Sequence, residues 1–376
     1  MRTDRGVFRL LRLLTAWLAV GLFQLFHVDP TSTPVGLVIV GFIALLGVII
    51  FASFGVLAEA NALAKRLGEP YGSLILTLSV VVIEVVLIAA VMLGPSPAPT
   101  IARDSIYSVM MIILNLVVGV AIVIGARRNG PQRFNPGGTR IYLVLITTLA
   151  LATFLGPVVF RPYTGSFPTA AALILANVVG VGYAVFLVFQ IGRGRNLFRA
   201  PHTGGVALKG HGRTDEKTSP AKASPVDSLA ARFLILVALL VAIAMLAEHL
   251  ATLIDFGVSE LHLPIALGGV VIAAIVFTPE TLTTLRAALN NEMQRVVNLC
   301  LGAFVSTVGL TVPSVLVIGV VTGNVVVFGL RGLDVALLLA TLILLWVTYT
   351  RRRTTVPLGV AHLVLFAGFA GSVFIA

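Results

Sequence analysis

The chain has 376 residues, 58% of them hydrophobic and only 11% charged, with a mean hydropathy of +1.05. A soluble domain carries about 25% charged residues, so this composition excludes a water-facing globule and leaves an all-α polytopic membrane protein. The net charge of +11 lies in short clusters between apolar runs, with no basic helix interleaved with aromatics, which argues for a lipid bilayer and against nucleic acid as the partner.

Runs of about 20 apolar residues span a bilayer, and eleven are predicted: roughly 10–28, 34–57, 70–93, 105–126, 141–160, 170–192, 230–254, 264–288, 296–318, 334–350 and 356–375. The first lacks a small-residue cleavage site and is expected to be a retained helix. The last is the weakest, with a Gly-rich end. With the N-terminus in the cytoplasm, every Lys and Arg except Arg103, Arg161 and Arg331 falls in a cytoplasmic segment. That bias is the one favoured during insertion into a cell (inner) membrane. Residues 193–228 are polar and rich in Gly, Ser, Pro and Lys, and read as a cytoplasmic linker. They divide an extra helix (1–33) and a first half (34–192) from a second half (229–376). The one cysteine, Cys300, lies inside an apolar run, so neither an internal disulfide nor a cysteine metal site is possible.

The two halves resemble each other. Leu57-Ala58-Glu59 matches Leu246-Ala247-Glu248, and each precedes a span opened by a proline, Pro70 or Pro264, that carries a lone glutamate, Glu84 or Glu280. The span after each is rich in small and polar residues, with Asn115 in one and Ser306-Thr307 in the other. The span of Glu84 runs outward and that of Glu280 inward, the pattern of inverted-topology repeats with a site at their interface.

Most of the 15 acidic residues lie at span ends or in loops, but Glu84 and Glu280 do not. At about 1.5 Å per residue they sit roughly 20 and 24 Å from where their spans begin. A carboxylate so deep is costly unless protonated, paired or hydrated, and by default marks an ion path. No Lys or Arg lies at similar depth. Ser73, Thr77 and Glu84 share one helical face, as do Glu280, Thr284 and Asn291. Both stripes lie on the cytoplasmic side of their glutamate, which predicts a hydrated vestibule from that side. Thr278-Pro279-Glu280 has the pattern of a helix start, so a break inside this span is one reading and a simple kink the other. Glu59 and Glu248 are candidate gate or mouth carboxylates. His27, His202, His211 and His262 fall near span ends or in the linker, so the donors are hard oxygens suited to Ca²⁺, Na⁺ or K⁺. No HExxH, GxSxG, P-loop or GxGxxG occurs, and nothing calls for a cofactor. A secondary transporter, rather than an enzyme or a passive channel, is the expectation, with oligomeric state left open.

Gly68-Glu69-Pro70-Tyr71-Gly72, Leu76-Thr77-Leu78-Ser79-Val80-Val81 and Glu84 resemble the first signature repeat (about 68–119) of bacterial calcium/proton antiporters. These belong to the cation/Ca²⁺ exchanger superfamily, in the branch also described as sodium-potassium/proton antiporters. Pro279-Glu280, Arg286-Ala287-Ala288, Gln294-Arg295, Asn298-Leu299-Cys300-Leu301-Gly302 and Gly309-Leu310-Thr311-Val312-Pro313 look like the second (about 277–313). The resemblance implies two inverted five-helix repeats after one extra helix, with Glu84 and Glu280 as the cation- and proton-binding pair. It implies exchange of cytoplasmic Ca²⁺ for external protons, with Na⁺ or K⁺ as the alternative. Asn115 matches a polar position of the first repeat, and Ser306 stands where vacuolar relatives tend to have glutamine. Val80-Val81 and Val276-Phe277 replace the Gly-Asn that precedes each glutamate in those relatives, and Ala303-Phe304 replaces a serine pair. These departures remove oxygen donors and keep Na⁺ and K⁺ open.

Overall fold

A computed structural model describes residues 2–25, 30–68, 71–94, 98–160, 164–199, 228–330, 332–350 and 353–375; the side chains of 2–6 and 71–74 lie outside that description. The described chain is helical, with only two isolated β-bridges, Arg133 to Arg353 and Ser166 to Val327. The helices are α1 (Arg2–Leu25), α2 (Val35–Leu67), α3 (Tyr71–Met92), α4 (Ile101–Asn129), α5 (Pro136–Phe160), α6 (Thr169–Ile191), α7 (Leu229–Ser259), α8 (Ala266–Leu289), α9 (Met293–Thr322), α10 (Leu333–Thr350) and α11 (Val356–Ser372). Ten are long and apolar enough to cross a membrane. The eleventh, α11, has 17 residues, about 26 Å of helix, slightly short of a hydrocarbon core. The chain is a multi-pass membrane protein.

Local sequence explains the ends and irregularities. Asn135 caps α5 by accepting from the Gly137 amide, ahead of which Pro136 occupies the first turn, and Ser228 caps α7 through the Ala231 amide. Gly323, at φ 73°, ends α9 in the left-handed region, where a missing Cβ removes the steric penalty. α4 changes to a π-helical turn over Ile112–Val117, and Asn115 lies in it. α5 is interrupted at Leu155, two residues before Pro157. α2 and α7 have 33 and 31 residues, far longer than a perpendicular crossing needs, and they pack on each other.

The packing pattern maps onto itself when the five helices α2–α6 are exchanged with α7–α11. α4 packs on α8 and α11, and α9 packs on α3 and α6; α7 packs on α3, and α2 on α8. Close approach at these crossings comes from small residues, as in other membrane bundles. A Cβ at Gly119 would meet the Gly359 carbonyl, and one at Gly309 would meet the Tyr183 ring. The first turns of α4, almost wholly buried, run past Gly269 of α8, where a Cβ would collide with the backbone of Asp104 and Ser105.

Loop contacts define two faces. On one, Thr354 N donates to Gln132 O, Gln132 Nε2 to Asn291 Oδ1, and Asn298 Nδ2 to Phe198 O. This joins the α4–α5, α8–α9 and α10–α11 connections to one another, and α9 to the turn after α6. On the other, Val327 N donates to Pro99 O, and Phe328 and Gly329 N to Gly165 O. The first face is the one to which the sequence assigns the basic clusters. Arg161, Arg331, Arg351, Arg352 and residues 200–227 lie outside the described residues.

Candidate functional site

The two lone glutamates of the apolar spans face very different surroundings. Glu84, in the middle of α3, is fully buried. Its Oε2 accepts hydrogen bonds from Thr307 Oγ1 at 3.1 Å and Thr311 Oγ1 at 3.0 Å, one helical turn apart on α9. Its Oε1 is buried and makes no hydrogen bond. Glu280, on α8, lies within electrostatic reach of Glu84 and has a buried Oε2 with no hydrogen-bond partner. It forms part of the wall of a cavity of about 400 Å³ bounded by α3, α5, α6, α8, α9 and the turn after α6.

That cavity opens toward the first face, the side of the expected vestibule. Thr77, Tyr183, Ser306 and Thr307 line it with Glu280. Further out, Gln190 Nε2 donates to the Tyr142 hydroxyl at 2.7 Å. An ion reaching Glu280 therefore meets carboxylate and hydroxyl oxygens at the inner end of the cavity. Among the described residues no three His, Cys, Asp or Glu side chains converge, so the carboxylate pair and its hydroxyls are the cation chemistry available.

Several expected residues stand elsewhere. The helix break at Thr278-Pro279-Glu280 is absent: α8 continues through Pro279, and Thr278 Oγ1 bonds the Ala274 carbonyl instead of capping. The carbonyl that Pro279 leaves without an amide partner is that of Ile275, so the Thr278 hydroxyl bond is a separate contact one residue earlier on the same helix. Thr284 is buried beside the Cys300 sulfur, 4.0 Å away, and not in the cavity. Asn291 is not on the α8 face, because φ 59° turns it out past the helix end, where it receives Gln132. The Ser73 side chain and His27 fall outside the described residues.

Asn115 is fully buried and turned to the second half. It donates to Thr341 Oγ1 at 2.9 Å, and its Oδ1 lies 3.1 Å from His362 Nδ1, whose Nε2 is 3.0 Å from Thr348 Oγ1. Glu59 is buried between Arg9 (3.0 Å) and Arg232 (3.2 Å), a clamp of α1, α2 and α7 and not an open mouth carboxylate. Glu248 is exposed. Thr311, Tyr183 and His362 are given no role by the sequence reading. The four-residue spacing of Thr307 and Thr311 is a usable signal for the first.

A bundle of membrane-spanning helices with two deep carboxylates, one at the end of an aqueous-sized cavity, defines a polytopic ion-handling membrane protein. Residues 37–192 and 229–375 match the sodium/calcium exchanger protein family, and the chain belongs to it. It is 35% identical over 358 residues to the sodium-potassium/proton antiporter ChaA of Escherichia coli K12, covering 94% of each chain. It is 34% identical to the putative ionic transporter y4hA of Sinorhizobium fredii, covering 86% of this chain and 85% of the relative. In fold it is similar to native YfkE, with TM-score 0.73 and 16% identity over 98% of this chain and 100% of that one. It is also similar to the H⁺/Ca²⁺ exchanger CAX, with TM-score 0.65 and 12% identity over 97% and 88%.

Proposed function

We propose that the chain is an inner-membrane antiporter, with its N-terminus in the cytoplasm, that exchanges a cytoplasmic cation for external protons at Glu84 and Glu280. The carrying observation is that one glutamate of the pair, Glu280, lines a cavity open to the basic face while its neighbour Glu84 is sealed and held by two hydroxyls. The reciprocal helix packing supports two inverted repeats, residues 34–192 and 229–376, with the site at their interface. Deprotonated, the pair attracts a cation; protonated, it releases it. Re-packing of the halves carries each state across.

The family resemblance puts Ca²⁺ first, but the donor set supports Na⁺ or K⁺. Ca²⁺ sites draw their affinity from the number of charged ligands, and beyond the pair the oxygens here are neutral hydroxyls, chiefly of Thr77, Ser306, Thr307 and Thr311. The relative described as a sodium-potassium/proton antiporter supports the same choice. Ca²⁺ is the second reading, because two carboxylates match a divalent charge and one Ca²⁺ for two protons leaves the pair balanced.

The test is proton flux in everted vesicles holding a pH gradient, after addition of NaCl, KCl or CaCl₂. Dequenching of a pH dye that disappears in both Glu84→Gln and Glu280→Gln is the expected result. Exchange retained in both variants, with the proteins folded, would overturn the proposal.

A further inference from the structure

The cavity carries charge of the wrong sign for a cation path at its outer rim. Besides Glu280, its charged lining residues are Arg195 and Arg199. Both are exposed, and neither forms an ion pair among the described residues. They do not hang on a loose strand. Past α6 the chain turns back, Gly194 N donating to Phe189 O, and forms a short 3₁₀ turn, Arg195–Phe198. Asn298 Nδ2 holds the Phe198 carbonyl at 2.7 Å. The Phe198 ring packs edge-on against Tyr142 at 5.1 Å and Phe186 at 6.0 Å. Gly138 gives this turn its room, because a Cβ there would collide with the Leu197 carbonyl. The backbone that carries the two arginines is thereby fixed at the mouth by packing and a hydrogen bond.

Basic residues on this face also serve topology, which would be met equally well by arginines pointing anywhere in solvent. Their anchoring on the cavity wall has a separate consequence. A positive potential at a mouth lowers the local concentration of an ion by a Boltzmann factor whose exponent is proportional to the ion's charge. Whatever factor applies to a monovalent cation is therefore squared for a divalent one.

We propose that Arg195 and Arg199 form an electrostatic filter at the mouth of the cavity that holds back divalent cations more strongly than monovalent ones. The inference rests on the antiport reading, and names residues that set the choice between Na⁺ or K⁺ and Ca²⁺ before an ion reaches Glu280.

The experiment compares the full-length wild type, the pair Arg195→Gln with Arg199→Gln, and the charge-keeping pair Arg195→Lys with Arg199→Lys in everted vesicles. Half-saturating concentrations are measured for the monovalent ion carried and for Ca²⁺, the latter as substrate or as competitor. Each is measured at low ionic strength and again with choline chloride added. At low ionic strength the glutamine pair should lower the monovalent value by about threefold and the Ca²⁺ value by about tenfold, and added salt should shrink both shifts. The lysine pair should match wild type. Equal shifts for the two ions, no shift, a shift that ignores salt, or Ca²⁺ acting on neither protein would overturn the filter. Glu280→Gln, run alongside, separates the two claims. Exchange surviving that change defeats the placement of the site at Glu280, on which the filter rests. Exchange lost there, but with unaltered ion ratios in the glutamine pair, defeats only the filter.

Discussion

Two pairs of glutamates occupy matching places in the two halves, and in each pair the structure treats the members differently. Glu84 is sealed against Thr307 and Thr311 of α9, whereas Glu280 lies on the wall of an open cavity. Glu59 is locked between Arg9 and Arg232, whereas Glu248 is exposed on the matching helix. The contrast teaches that a repeat in sequence specifies equivalent positions without equivalent environments. The helices exchange partners reciprocally, but of the deep pair only Glu280 lines the cavity. In the other half, by contrast, Tyr107 is buried. Tyr107 donates to the Asp334 carbonyl at 3.0 Å and packs edge-on against Phe154 and Phe369.

The strongest way to break the comparison is to neutralise each member of the deep pair in turn. Both Glu84→Gln and Glu280→Gln should reduce exchange by at least about a hundredfold in the vesicle assay, since a paired site fails when either carboxylate is lost. A large effect from Glu280 alone would make Glu84 structural. Accessibility sharpens the contrast in the resting protein. In a Cys300→Ala background, Ser306→Cys should react with a polar thiol reagent applied from the basic face, whereas Thr311→Cys should not. Equal labelling would mean the cavity extends past Glu280.

Stability separates the outer pair. Glu59→Gln strands two arginines at a buried junction and should cost about 3–5 kcal/mol. Glu248→Gln should stay within about 0.5 kcal/mol, both read by thermal unfolding in detergent. A cost at Glu59 as small as that expected at Glu248 would mean that the Arg9–Glu59–Arg232 clamp contributes nothing. A smaller effect is expected at the sealed glutamate's own partners. Thr307→Val and Thr311→Val each remove one donor from Glu84 and should cost about 1–2 kcal/mol. The double variant should exceed the sum, because the second loss leaves the carboxyl with no donor at all.

Much of this molecule was readable before any coordinate. Apolar runs and basic clusters place the eleven helices to within a few residues at most ends. The larger misses have local causes. α2 continues ten residues beyond the expected end, because Ala58 to Leu67 is an amphipathic helical stretch that hydropathy alone cuts off and the Arg9 and Arg232 contacts to Glu59 hold in place. Of the two readings left open at Thr278-Pro279-Glu280, the break is absent: the helix runs on through Pro279.

The candidate site was legible in its carboxylates and only partly in their company. Glu84 and Glu280 stand out because charge is rare at such depth, and Thr77, Ser306 and Thr307 do lie beside them. Thr311 needed the knowledge that α9 presents that face to α3. Asn115 carries a polar signal of the same kind, yet it joins Thr341, His362 and Thr348 in a buried chain across α4, α10 and α11. A polar residue in an apolar span must find a partner, and sequence cannot say which helix will supply it.

Hydrophobicity, charge bias and the position of rare acids are properties read along one helix at a time, so the amino-acid order alone was enough for the membrane class, the helix count and the pair of deep glutamates. Which carboxylate is sealed, which helices wall the cavity, and that the turn after α6 folds back to hold Arg195 and Arg199 at its rim all depend on contacts between residues far apart in the chain. Those contacts are set by how the helices pack, where a Cβ at Gly138 or a side chain as large as Phe198 decides how close two segments can come.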